Sequence, residues 1–333
     1  MRLTRSLAVA LALVLGPGCG GTTPAPVASK PAAPAAPLHR GPLTDYVAAA
    51  GLRWMLVGKP RDIAQHPAFA EAIELLLPEP RLKAFSSGSG VDLETVGAAL
   101  VAGFDLGTLY LLQATPPAAA RASLKFQERL LQGSLKRPHP ELERASGLVG
   151  STPQALVRFD PIVAISVGDP TLTRVVEAFA RRKLRRSPVA LRGAALSTLA
   201  PPPQQALATF YVPGPFTGEW AQGARGLLAD AVALSIAMTP SSRGHARFTV
   251  QLAGDVRREG ADEMVKAFHE LVQTPTGRLL GLDQPTSPTA VHEPDGRLVL
   301  DVELELAPIA RGLRAAVIAD VWEIMQTRPR ATN

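Results

Sequence analysis

The stretch RLVLDVELEL, residues 297–306, puts Leu298, Leu300, Val302, Leu304 and Leu306 on one side of an extended chain and Asp301, Glu303 and Glu305 on the other. Side chains alternate across a strand, so this segment predicts a strand with one buried and one hydrated face. Residues 245–252, HARFTVQL, repeat the pattern: Ala246, Phe248, Val250 and Leu252 alternate with His245, Arg247, Thr249 and Gln251. Between the two, Met264, Val265, Phe268, Leu271 and Val272 recur at helical spacing, which predicts an amphipathic helix over 259–273. Strands with one wet face mark an antiparallel sheet, and the helix must then cover the dry face. The expected fold class is α+β, mainly antiparallel sheet with helices packed on one face.

Working outward, further strands are expected at 206–212, 231–238 and 289–292, with helices at 217–228 and 309–325. The preceding part of the chain gives strands at 53–57, 106–113, 156–159 and 163–167 and helices at 68–77, 93–101 and 118–132. One more helix starts at Pro170, with Asp169 as its N-cap. The segment 191–205, with Pro201, Pro202 and Pro203, is the expected boundary between two similar α+β halves, 44–200 and 205–327, followed by a short tail, 328–333. A single continuous sheet is the competing architecture.

The N-terminus is of another kind. Arg2 and Arg5 precede an apolar run, Leu7 to Leu15, which is too short for the roughly 20 residues of a membrane helix and is followed by Gly16, Pro17 and Gly18. The only cysteine of the 333 residues, Cys19, comes next. The arrangement Leu15-Gly16-Pro17-Gly18-Cys19 resembles the signal of bacterial lipoproteins. That resemblance implies removal of residues 1–18, acyl chains on Cys19, and attachment to a membrane. Gly20 is not an acidic retention residue, so the resemblance implies the outer membrane, facing the periplasm. Residues 19–43 then read as the lipidated cysteine and a Pro/Ala-rich tether. With Cys19 modified, the body has no thiol for a disulfide, and its core alone must stabilise it.

Two further stretches, SGVDLETVGAALVAGFDLGTLYLLQ (89–113) and ALVRFDPIVAISVGDPTLTRVVEAF (155–179), resemble exported bacterial proteins of the DUF3352-like type. The resemblance implies a noncatalytic envelope protein and brings no site residues with it.

Catalytic and metal motifs are missing from the sequence. His39, His66, His139, His245, His269 and His292 have no metal-ligand spacing, and neither a Gly-x-Ser-x-Gly elbow nor a Ser-x-x-Lys pair occurs. The segment SSGSGVD, Ser86 to Asp92, lacks the Lys-Ser/Thr ending of a phosphate loop and reads as a flexible turn, with Asp92 capping the next helix. The acidic row Asp301, Glu303, Glu305 reads as a hydrated strand face. No enzyme activity, cofactor or metal is expected.

The most unusual local feature is RRKLRR. Arg181, Arg182, Lys183, Arg185 and Arg186 follow one helix, and Arg174 and Arg192 are near. Helix-dipole complementation accounts for one or two such cations, and the rest of the run reads either as a solvated helix end or as a surface for an anionic partner of the envelope. Nucleic acid is not expected: loss of Arg2 and Arg5 lowers the formal charge from +6 to +4, and aromatics are only 5% of residues. In 231–238, Ala231, Ala233, Ser235 and Ala237 form a strand face small enough for another layer to approach closely. The expected function is that of a non-enzymatic, lipid-anchored envelope module that binds or scaffolds an anionic partner. The alternatives are a periplasmic carrier of a lipid or other apolar ligand and, less favoured, a hydrolase with a dispersed site.

Overall fold

The computed structural model describes residues 35–184, 186–256 and 260–326, without the side chains of 219–220 and 317–326. Cys19 with the expected signal, Arg185, and the tail 328–333 lie outside the described residues.

In chain order the elements begin with β1 (Leu52–Gly58), α1 (Pro60–Gln65), α2 (Ala70–Leu76), α3 (Glu79–Ser89), β2 (Ala98–Phe104), β3 (Gly107–Gln113) and α4 (Pro116–Glu128). Next come β4 (Leu131–His139), β5 (Leu142–Val149), β6 (Thr152–Phe159), β7 (Ile162–Val167) and α5 (Thr171–Ala180). The remainder is β8 (Ala208–Pro213), α6 (Glu219–Gln222), β9 (Ala231–Pro240), β10 (His245–Gly254), α7 (Gly260–Gln273), α8 (Pro275–Leu279), β11 (Thr289–His292), β12 (Leu298–Glu305) and α9 (Leu306–Gln326). Prolines stand in the first turn of α1, α3, α4 and α8, where their fixed φ suits the helix and their missing amide hydrogen costs nothing.

All twelve strands form one antiparallel sheet in the order β11, β12, β10, β9, β8, β1, β2, β3, β7, β6, β5, β4. The two halves meet where β1 pairs with β8, from Met55 opposite Tyr211 to Gly58 opposite Ala208. Reading away from that seam, β1, β2, β3, β7, β6 has the same connectivity as β8, β9, β10, β12, β11. Hence the α+β class holds, the halves are alike in topology, and a continuous sheet joins them. Among the described residues the β4–β5 hairpin has no counterpart in the second half.

The faces follow from pairing parity. On one face Leu156 and Val163 meet Ala119 and Phe126 of α4, while Leu252, Leu298 and Leu300 meet Met264 of α7. On the other face Val157, Ile162 and Ala164 meet Leu172, Val176 and Phe179 of α5. Asp169 starts α5 as expected, its carboxylate accepting from the Thr171 amide at 2.8 Å. Toward β12 this second face turns polar: Thr249 Oγ1 donates to Asp301 and Ser241 Oγ to Glu303. The buried Gln251 side-chain oxygen accepts from the Ala200 amide and from Arg297, fastening the segment between the halves to the sheet. The small side chains Ala231, Ala233, Ser235 and Ala237 are buried, and the turn at Leu196–Thr198 lies over β9 there.

Four expectations are corrected. Residues 93–101 do not form a helix: Asp92 caps a single 3-10 turn, Leu93–Thr95, and Ala98 onward is β2, an inner strand whose alternation is blurred because both faces are covered. Ser86–Ser89 belong to α3 rather than to a loop, and Gly90 ends that helix at φ +73°. The helix expected at 217–228 is limited to α6 and one 3-10 turn, because Ala224, Arg225 and Gly226 all take positive φ. The tether does not run to residue 43: Leu38 and Leu43 are buried in the core beside Tyr46.

Burial pushes the phenols of Tyr46 and Tyr211 above the usual tyrosine range; the Gly41 amide opposes this at Tyr46 and Thr209 opposes it at Tyr211. A raised folded-state value leaves stability intact below the unfolded value of about 10 and removes it as the pH climbs through the folded one. Unfolding free energy is therefore expected to decline above about pH 10, and less steeply in a Tyr46→Phe/Tyr211→Phe double variant. Denaturant titrations at pH 8 and 11 measure this, and identical declines in both proteins would contradict it.

Candidate functional site

A pocket of about 300 Å³ lies beside the β1–β8 seam, between the sheet and the helices that connect β1 to β2. Its floor is Leu56, Gly58, Ala99, Val101 and Ala208, and its walls include Ile63 of α1, Ile73 of α2, Leu77 at the end of α2 and Leu82 of α3. Gly58, Ala99 and Ala208 are too small to fill the space between sheet and helices, which keeps the floor open. Among the described residues Glu94 is the one charged residue in the lining. The roof is loosely held, since neither α1 nor α3 buries any residue completely, and Leu77 and Phe85 are each more than 40% exposed. Such a lining favours an apolar guest and offers no acid, base or nucleophile pair for chemistry.

The basic run divides. Arg181 turns back one helical turn to Glu177, Nη1 to Oε1 2.9 Å, and Arg144 reaches the other oxygen of the same carboxylate at 2.7 Å. Glu177 is only 8% exposed, so this triad is a packing feature. Arg182 and Lys183 are exposed, and Arg185 is outside the described residues. Arg182 and Arg186 instead share a broad basin with Arg192, which comes from the following turn. His39 and Asp45 also line the basin, joined Nε2 to Oδ2 at 3.0 Å.

Arg182 has φ +53°. Its amide donates to the Phe179 carbonyl and the Lys183 amide to that of Ala178, the Schellman ending of a helix. Glycine is the usual residue at this place, and an L side chain there costs about 1 kcal/mol.

Of the remaining histidines, His66 and His139 meet backbone groups. His66 Nδ1 accepts from the Ala68 amide, and His139 Nε2 contacts the Ala36 carbonyl at 3.0 Å. Among the described residues no three His, Cys, Asp or Glu side chains are grouped to hold a metal ion, and no helix is long and apolar enough to cross a membrane.

No family model matches the chain, and no curated protein is significantly similar to it. Solved structures do align with it. TP0453 in crystal form III aligns at a TM-score of 0.47 and 12% identity, over 83% of this chain and 99% of that one. Crystal form I of the same protein aligns at 0.46 and 12% identity, over 83% and 97%. A GTP binding regulator from Thermotoga maritima aligns at 0.21 and 15% identity, over 28% of this chain and 67% of its own.

Proposed function

We propose that the protein is a noncatalytic binding protein of the cell envelope, held by acyl chains on Cys19 at the outer membrane and facing the periplasm. In this reading the pocket at the β1–β8 seam takes an aliphatic chain, such as the acyl chain of a lipid. The observation that carries the reading is the lining: thirteen residues from separate elements converge on one space, and twelve of them are Leu, Ile, Val, Ala, Pro or Gly. Each methylene moved from water into such a lining gains about 0.8 kcal/mol, so half a dozen contribute about 5 kcal/mol before the cost of immobilising the chain. The volume lies at the lower end of ligand pockets and suits a slender guest.

The test is to isolate the full chain from membranes under native conditions and to analyse its organic-solvent extract by mass spectrometry. Lipid on Cys19 remains with the protein, so the extract reports the noncovalent guest alone. Near-stoichiometric lipid is expected, falling about tenfold in an Ala99→Phe/Ala208→Phe variant whose floor is filled. A far-ultraviolet spectrum and a melting curve check that the variant is folded. An empty native protein, or an unchanged yield of lipid from the folded variant, would overturn the proposal.

A further inference from the structure

The basin beside α5 lies on the opposite face of the sheet from the apolar pocket and has a different chemistry. Arg182, Arg186 and Arg192 border about 760 Å³ of open space, together with the apolar wall of Phe179, Leu184 and Val189. Among the described residues Asp45 is the one carboxylate there, and it is engaged by His39. Among the described residues no carboxylate is within ion-pairing distance of these three arginines, whereas Arg181 and Arg144 are both paired with Glu177. Three guanidinium groups facing one space create a positive field and a surplus of forked donors, which suits an oxygen-rich anion.

The backbone adds a second, independent observation. Arg182 holds the left-handed conformation that glycine adopts without strain, and the helix ending it closes needs only its amide, not its side chain. The side chain is thus kept against the local preference of the fold, at the place from which it enters the basin.

We infer that Arg182, Arg186 and Arg192 form a binding site for a phosphate group, and that the strain at Arg182 is retained for that binding. The phosphate belongs either to a lipid headgroup or to a free anion; both present the same tetrahedral oxygens to the guanidinium forks.

Substituting glycine at this position separates binding from folding. Arg182→Gly is expected to melt at the same temperature as the native protein or higher, while its affinity for inorganic phosphate, measured by calorimetry at low salt, falls about fivefold. Arg186→Ala/Arg192→Ala is expected to lose about tenfold or more, and Arg181→Ala to keep its affinity within about twofold. Flotation of the non-acylated protein with phosphatidylglycerol vesicles, against phosphatidylcholine vesicles, distinguishes the sources, since acyl chains on Cys19 would bind either vesicle. Vesicle binding that Arg182→Gly abolishes assigns a headgroup, and phosphate binding without vesicle binding assigns a free anion. The site is overturned if neither probe binds, or if Arg182→Gly binds both as the native protein does.

Discussion

Tyr46→Ala is expected to destabilise the fold by about 4 kcal/mol, the largest effect of any single substitution considered, with denaturant unfolding followed by circular dichroism as the measurement. The side chain is fully buried, and its ring stands edge-on to Phe159 at 5.3 Å between centroids. Truncation empties a space walled by β6 and the start of β7, where surrounding side chains from two strands cannot collapse together. The hydroxyl adds polar anchoring: it donates to the His39 carbonyl at 2.8 Å and accepts from the Gly41 amide at 3.0 Å. Tyr46→Phe keeps the ring and loses both bonds, for an expected cost of about 1–2 kcal/mol. The two variants therefore divide packing from tethering. A loss under about 1 kcal/mol for Tyr46→Ala would mean that residues 36–46 are not seated as described.

Glu177→Ala is expected to cost about 3 kcal/mol, because it strands two arginines that share one carboxylate in a poorly hydrated place. The side chains of Arg144 and Arg181 are 19% and 25% exposed. Their charges cannot be neutralised, so removing their shared partner leaves both under-hydrated, with no compensating bond. Replacing all three residues by apolar side chains of similar size is expected to be close to neutral, since the triad already bears the cost of desolvating three charges. A single substitution costing less than about 1 kcal/mol would place the arginines in solvent.

Both results bear on which features are legible from sequence. β10 and β12 are easily read, because each sets apolar side chains toward α7 and its neighbours and polar ones on the other face, so alternation survives even where Thr249 and Gln251 are buried. β2 is not: Leu100 and Ala102 meet the α5 side, while Ala99 and Val101 meet the pocket side, and continuous small apolar residues imitate a helix. β4 escapes notice for the opposite reason, being exposed over its first seven residues with no apolar period at all. In the basic run, composition shows charge but not direction. Arg181 lies four residues after Glu177, a spacing that does carry the signal for an internal pair, whereas the meeting of Arg182 with Arg192 depends on how residues 183–191 turn. The apolar pocket leaves no local trace, since its lining runs from residue 56 to residue 208 and depends, besides the expected α2, on α1 and α3, which the sequence pattern does not announce.

The duplicated strand order suggests two interchangeable modules, yet the chain between β1 and β2 crosses the seam. Ala68, Phe69 and Ala72, numbered in the first half, pack on Ala246, Leu306 and Ala310 of the second. A C-terminal half made alone would present those residues bare, and during synthesis α2 must wait for more than 170 further residues before its surface exists. What looks like a pair of repeats should therefore acquire its native state in one cooperative step, late, after the second copy has emerged.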